Sequence, residues 1–165
     1  MNAQPAAYFS KPERIRALIG AAEEWRGTPF VANACVLGIG VSCQKLAARL
    51  LVLAGHLPAD LAIPDGPMDW GKANTHSLIA DFLDNVRRPD GSHYFRPVEL
   101  RERGLVPAWG DILGFKIGGC VQHIGVTIKI NPTFFMSALE DGANLRRLDD
   151  ATWSTRLERI WRPIE

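Results

Sequence analysis

The chain has 165 residues, of which 47% are hydrophobic and 22% are charged, and its formal net charge at pH 7 is +1. Such a balanced charge argues against binding to nucleic acid or to an anionic membrane surface, because both require an excess of positive charge. The length and composition predict one soluble globular domain over residues 1–165, built around a single hydrophobic core.

The cysteine content and the N-terminal segment bear on the cellular compartment. Three cysteines are too few, and odd in number, for a disulfide framework, so we expect reduced thiols. The first residues lack the apolar centre of a signal peptide, and no run approaches the roughly 20 apolar residues of a membrane span. We therefore expect a protein that is cytoplasmic as synthesised, and that acts at the cell wall only if another route delivers it.

The first half of the chain predicts helices. We place them at about residues 12–25, 42–54 and 75–87, with Ser10, Ser42 and Thr75 as the residues that introduce them. The second helix has a broad apolar stripe formed by Leu46, Leu50 and Leu53, so it is expected to lie deep in the fold.

From about residue 94 the hydrophobic period changes to that of strands. Residues 111–117 and 120–130 predict a hairpin closed by Gly118 and Gly119, and residues 133–139 predict a further strand. Asp149 or Asp150 is expected to cap a short helix near Trp153, and residues 157–161 to close the sheet. Helices followed by antiparallel strands indicate an α+β domain with N-terminal helices packed on a central antiparallel β-sheet.

Cys43 and His123 are the residues whose side chains and positions best suit nucleophilic catalysis. Cys43 stands at the start of the second helix, where backbone N–H groups favour a thiolate and can stabilise the oxyanion of a tetrahedral intermediate. His123 lies in a predicted strand beside Gly125, whose missing side chain would leave room for the imidazole to face a helix end. A polar residue on the neighbouring strand should hold the ring.

Four motifs that follow one another along the chain give it a resemblance to a known family. They are Trp25-Arg-Gly-Thr-Pro-Phe30, Gly38-x-Gly-Val-Ser-Cys43, Trp109-Gly-Asp-Ile-Leu113 and His123-Ile-Gly-Val126. Together they resemble the NlpC family of papain-like murein peptidases, over about residues 12–140. The resemblance implies a papain-like NlpC fold and cleavage of peptide bonds in bacterial cell-wall stem peptides through a thioester. It implies Cys43 as nucleophile and His123 as general base and acid, with no metal and no cofactor.

The resemblance also implies a third catalytic residue and a substrate cleft. Counting along the strand after His123, the nearest match to the family's His, Asn or Gln is Ser137. The cleft would contain Trp25, Phe30, Ser42 and Gln44, of which Ser42 and Gln44 depart from the family's usual Asp and Ser. The C-terminal segment at 159–163 is similar to that of phage-associated members, which implies a phage or prophage origin and phage tail components as further partners.

Two alternatives stay open at the level of sequence. A catalytically impaired wall-binding or phage tail module would explain Ser42 and Ser137 but not the presence of both Cys43 and His123. A thiol acyltransferase on the same fold would keep the thioester and pass its acyl group to an amine or an alcohol.

Overall fold

The computed structural model describes residues 4–65, 76–100 and 106–165. A 3-10 turn at Tyr8–Ser10 precedes the helices α1 (Pro12–Trp25), α2 (Cys43–Leu53), α3 (Leu78–Asn85) and α4 (Ala151–Ser154). The strands are β1 (Cys35–Val36), β2 (Gly40–Val41), β3 (Phe95–Val98), β4 (Ile112–Ile117), β5 (Cys120–Lys129), β6 (Phe134–Leu139), β7 (Gly142–Arg147) and β8 (Leu157–Pro163). None of the helices in these ranges is long and apolar enough to cross a membrane.

Six strands form one antiparallel sheet in the order β3-β8-β4-β5-β6-β7, while β1 and β2 form a separate small hairpin. The expected hairpin at Gly118-Gly119 is confirmed, since Ile117 pairs with Cys120 and Gly118 has a φ of 69°. The register places Ile112 opposite Val126.

The sheet has two apolar faces, and the period of two in its strands separates them. Ile124, Val126 and Met136 belong to the main core, which also contains the inner faces of α1 and α2. The alternate residues form a second cluster on the other face, made of Leu113, Phe115, Phe135 and Ile160. Because neighbouring side chains on a strand point to opposite faces, β3, β4, β6 and β8 each contribute residues to both clusters.

Helix α2 is the central element of the main core. Leu46, Leu50 and Leu51 are fully buried where α2 packs against α1 and the sheet. Burial of a leucine side chain contributes roughly 1.5–3 kcal/mol. Gly55, with a φ of 79°, follows the C-terminal end of the helix, as the sequence predicts.

The α+β architecture and most of the predicted elements are confirmed, with three corrections. Ser10 does not cap α1, because Lys11 occupies the N-cap position and no side chain is hydrogen-bonded there. Ser77 caps α3 by accepting a hydrogen bond from the Ala80 N–H, and the expected cap Thr75 lies outside the described residues. Strands β3 and β7 and the β1-β2 hairpin were not predicted from the sequence.

Candidate thiol site at Cys43

The chain between α1 and α2 is fixed to the edge of the sheet before it reaches Cys43. The Gly27 N–H donates to the Ala143 carbonyl, and the Ala143 N–H donates to the Thr28 carbonyl, both at 2.8 Å. Gly142 permits this approach, since a Cβ there would lie 2.8 Å from the Thr28 oxygen. The Val41 N–H in turn donates to the Pro29 carbonyl at 2.9 Å, so the Trp25–Phe30 motif also positions the residues just before Cys43.

Cys43 is the first residue of α2, and its side chain is only 8% exposed. Ser42 precedes it in an extended conformation, and the Cys43 thiol donates to the Gln44 Oε1 at 3.4 Å. Burial raises the pKa of the Cys43 thiol, and the backbone N–H groups of Ile124, Gln44 and Cys43 offset this effect only in part. The thiol is consequently protonated at neutral pH in this structure.

His123 lies on β5 and is 3% exposed. Its ring packs against Trp153, with centroids 5.4 Å apart, and against Phe115 at 6.0 Å. Burial, with a smaller contribution from the nearby Arg146 guanidinium, lowers the pKa of His123 to about 3. The imidazole is therefore neutral at pH 7, and its buried Nε2 has no hydrogen-bond partner among the residues that the structure describes.

Cys43 and His123 are neighbours through the backbone but are not hydrogen-bonded to each other. The thiol lies against the N–H of Ile124, the residue that directly follows His123. The Ile124 side chain faces α2, whereas the His123 ring projects to the other face of the strand, beside Phe115. The space beside Gly125, which we expected to admit the imidazole, is occupied by Phe135, whose Cδ2 would lie 2.3 Å from a Cβ there.

Ser137 is buried on β6, and its hydroxyl is engaged by a guanidinium. Its Oγ accepts a hydrogen bond from Arg146 Nε at 2.9 Å, and Arg146 also pairs with Asp141 at 2.6 Å. Arg146 further lies over the Trp153 ring, 5.8 Å from its centroid. Because no hydrogen bond joins Ser137 to His123, its role as the third catalytic residue stays a prediction.

The four expected cleft residues lie in different environments. Trp25 is 3% exposed and packs in the main core, because it faces inward from the last turn of α1. Phe30 is 36% exposed. Ser42 Oγ is buried and has no hydrogen-bond partner within the described part of the chain, and Gln44 Nε2 donates to Asn33 Oδ1 at 3.4 Å. Gln44 is thus the expected cleft residue that touches the thiol.

A buried ion pair that the sequence analysis did not identify stabilises the Trp109-Gly110-Asp111 motif. Asp111 is 0% exposed and accepts two hydrogen bonds from Arg162, at 2.9 and 2.8 Å, and a third from the Ala108 N–H. The motif therefore ties β8 to the start of β4. An aspartate placed directly before a buried strand was the sequence signal for this contact.

Within residues 4–65, 76–100 and 106–165, no three His, Cys, Asp or Glu residues are grouped so that they could hold a metal ion. All three cysteines are free thiols, Cys35 exposed and Cys43 and Cys120 buried.

Comparison with known proteins gives a likeness in fold. No protein-family model matches the sequence, and no curated protein matches it. Among solved structures, the chain is similar to a protein described as similar to lipoprotein, of the NLP/P60 family, from Staphylococcus aureus subsp. aureus Mu50. The TM-score is 0.64 at 16% identity, and the match covers 100% of this chain. The chain spans 45% of the length of that protein, which shares its fold at the level of helices and sheet.

Proposed function

We propose that this chain is a cysteine hydrolase that cleaves peptide bonds in bacterial cell-wall stem peptides, with Cys43 as the nucleophile. The observation that carries the proposal is the position of the thiol, at the N-terminus of α2 and against the N–H that follows His123. The similarity of the chain's fold to that of an NLP/P60 protein supports the same proposal. A phage or prophage origin and delivery to the wall by another route belong to this proposal.

The proposed reaction begins from a neutral thiol and a neutral imidazole. The His123 ring would have to move from the Phe115 face of β5 to the Cys43 face, which requires a change in the backbone of β5 because a strand residue cannot change face by side-chain rotation alone. His123 then accepts the thiol proton while Sγ bonds to the substrate carbonyl carbon. The N–H groups at Cys43 stabilise the oxyanion. As the C–N bond breaks, His123 protonates the leaving amine, and water hydrolyses the thioester.

A second candidate function is a wall-binding or phage tail module without catalysis. The observation that favours it is the absence of a hydrogen bond between Cys43 and His123, together with the unpartnered Nε2. Burial opposes the charged form of both side chains. Such a module would bind stem peptides but leave them intact.

Release of soluble stem fragments from purified peptidoglycan tests the proposal. Wild type and the control Cys35→Ala, which removes an exposed thiol, should release fragments at equal rates. Cys43→Ala should lower the rate by at least about a thousandfold, because removal of a catalytic nucleophile has effects of that order or larger. Its thermal midpoint should stay within a few degrees of wild type, since the substitution is small.

Two results would reject hydrolysis. One is fragment release by Cys43→Ala at the wild-type rate. The other is co-sedimentation of the wild-type protein with wall sacculi without any release of fragments, and this result would favour the binding module.

A further inference from the structure

Strand β5 contains one residue more than its partner β4 at the position just before His123. Val121 and His123 pair with consecutive residues of β4, so Gln122 between them is the extra residue of a β-bulge. The Gln122 Nε2 donates to the Ile117 carbonyl at 2.5 Å, which ties the bulge to the end of β4. Bulges re-aim the side chains of the strand that contains them. The bulge therefore determines the face of β5 on which the imidazole lies.

The residues on either side of the bulge show this effect. Val121 and Ile124 both belong to the main core, although strict alternation would place residues three apart on opposite faces. One residue between them must therefore be out of the alternation. His123 lies on the opposite face, against Phe115, so in this structure the extra residue is Gln122. The faces of Val121 and Ile124 would be satisfied equally if the extra residue were His123.

A shift of the bulge by one residue would transfer His123 to the other face. Gln122 would then take over the pairing partner that His123 has on β4, and His123 would become the extra residue beside Ile124. That is the face on which the Ile124 N–H lies against the Cys43 thiol. The pairs before and after the bulge would keep their register, so the change is confined to two residues.

The face that would receive the ring is incompletely packed. A void of about 40 Å³ lies there between α2, α3 and the sheet, and Gln44 and Ile124, which both contact the Cys43 thiol, are among its lining residues. The void exceeds the roughly 10–15 Å³ that one water molecule needs, and so has room for the edge of an imidazole. On its present face the buried His123 Nε2 has no hydrogen-bond partner within the described ranges, whereas the thiol would supply one.

We propose that the bulge at Gln122 shifts by one residue and carries the His123 imidazole from the Phe115 face of β5 to the Cys43 face. Gln122 is then a positioning residue, because it acts on the thiol only through His123. The catalytic consequence rests on the proposed function, whereas the shift itself is a property of the strand. Hydrolysis would proceed only from the state in which His123 faces Cys43.

Disulfide trapping in the variant His123→Cys measures the shift without any catalysis. In the observed structure position 123 faces away from Cys43, and cysteines whose Cβ atoms point apart cannot be bridged. After the shift, oxidised glutathione should join Cys43 to the cysteine introduced at position 123. The first thiolate displaces one glutathione thiol, and the second thiolate then displaces the other. Mass spectrometry of the linked peptides identifies the bridge and its rate of formation.

Three further changes, each added to His123→Cys, locate the effect. Deletion of Gln122 removes the extra residue and leaves position 123 fixed opposite Phe115, so trapping should slow at least about tenfold. Gln122→Ala keeps the residue count and loses only the hydrogen bond to Ile117, so trapping should continue at the same rate or faster. Deletion of Glu158, the extra residue of β8 beside β4, controls for a shortened strand and should leave the rate unchanged.

Trp153→Ala tests the same shift in a chain that retains His123 and an intact β5. The Trp153 ring holds His123 on its present face, with centroids 5.4 Å apart. Its removal should raise the rate of Cys43 alkylation by iodoacetamide about threefold, the order expected for loss of one aromatic pair. The increase should disappear when Gln122 is deleted as well. If the deletion variants do not fold, an unchanged Cys43 rate in Trp153→Ala would overturn the proposal.

The two measurements separate failure of the shift from failure of the proposed function. Absence of the disulfide in His123→Cys, or equal trapping after deletion of Gln122, would overturn the shift, and fragment release by the wild-type protein would still decide hydrolysis. Trapping that stops on deletion, together with a Cys43 alkylation rate that the deletion does not change in the presence of His123, would keep the shift and reject His123 as the base.

Discussion

At the scale of single residues, His56 shows what burial does to a titratable group away from the thiol site. Its ring packs against the aromatic rings of Tyr8, Phe95, Tyr94 and Phe9, with centroid separations of 4.7 to 6.4 Å. Burial, with a smaller contribution from the Arg88 guanidinium, lowers the pKa of His56 to about 4. The folded state therefore holds His56 neutral.

This burial predicts a loss of stability in acid. In the unfolded chain a histidine binds its proton below about pH 6.5, whereas His56 in the folded state binds it only near pH 4. The unfolded state is thus favoured progressively as the pH falls through that window. From pH 7 to 4.5, His56→Phe should lose about 2 kcal/mol less unfolding free energy than wild type.

Urea denaturation at the two pH values measures this difference. His76→Phe is the matched control, because His76 is exposed, and it should follow wild type. Equal acid sensitivity in His56→Phe and wild type would show that the buried imidazole does not control the loss.

At the scale of elements, β8 is held to the rest of the sheet by buried or partly buried ion pairs. Asp111, before β4, binds Arg162 of β8, while Asp84 of α3 binds Arg159 and accepts a hydrogen bond from the Trp161 indole at 2.8 Å. These contacts join the last strand to elements that precede it by 51 to 77 residues. Strand β8 therefore contributes to the stability of the sheet.

Removing the charge of Asp111 should weaken this arrangement. Asp111→Asn leaves Arg162 without its carboxylate in a site where Asp111 is fully buried, and should cost about 2–4 kcal/mol of unfolding free energy. Asp149→Asn breaks an exposed pair with Arg147 and should have no resolvable effect. Chemical denaturation of both variants compares them, and equal stability of the two would contradict the structural role of Asp111.

At the scale of the whole molecule, local patterns predicted most of the architecture. Helix α1 and strands β4 and β5 followed from their hydrophobic periods and from the glycines and prolines that flank them, because these signals are local. Strand β7 was missed, since its polar residues Asn144, Arg146 and Arg147 hide the period of two. The β1-β2 hairpin has only two residues in each strand, too few for any period to show.

The candidate site was predicted in part. The order of Cys43 and His123 along the chain is given by the sequence itself, and the position of Cys43 at a helix start could be predicted because helix boundaries have local signals. The orientation of the His123 ring could not be predicted from the sequence, because it depends on contacts with Trp153 and Phe115, which belong to other helices and strands. The contact of Ser137 with Arg146 likewise arises only when β6 and β7 pair.

The measurement that tests the central claim most directly is the rate of iodoacetamide alkylation at Cys43, mapped by peptide mass spectrometry at pH 7.5 in wild type and His123→Phe. Phenylalanine keeps an aromatic ring against Trp153 and removes the base, and alkylation of exposed Cys35 in the same molecule is the internal control. If His123 serves Cys43 as general base, the Cys43 rate should fall at least tenfold in His123→Phe while the Cys35 rate is unchanged. Equal Cys43 rates in the two proteins would contradict the account and make His123 a packing residue of a binding module.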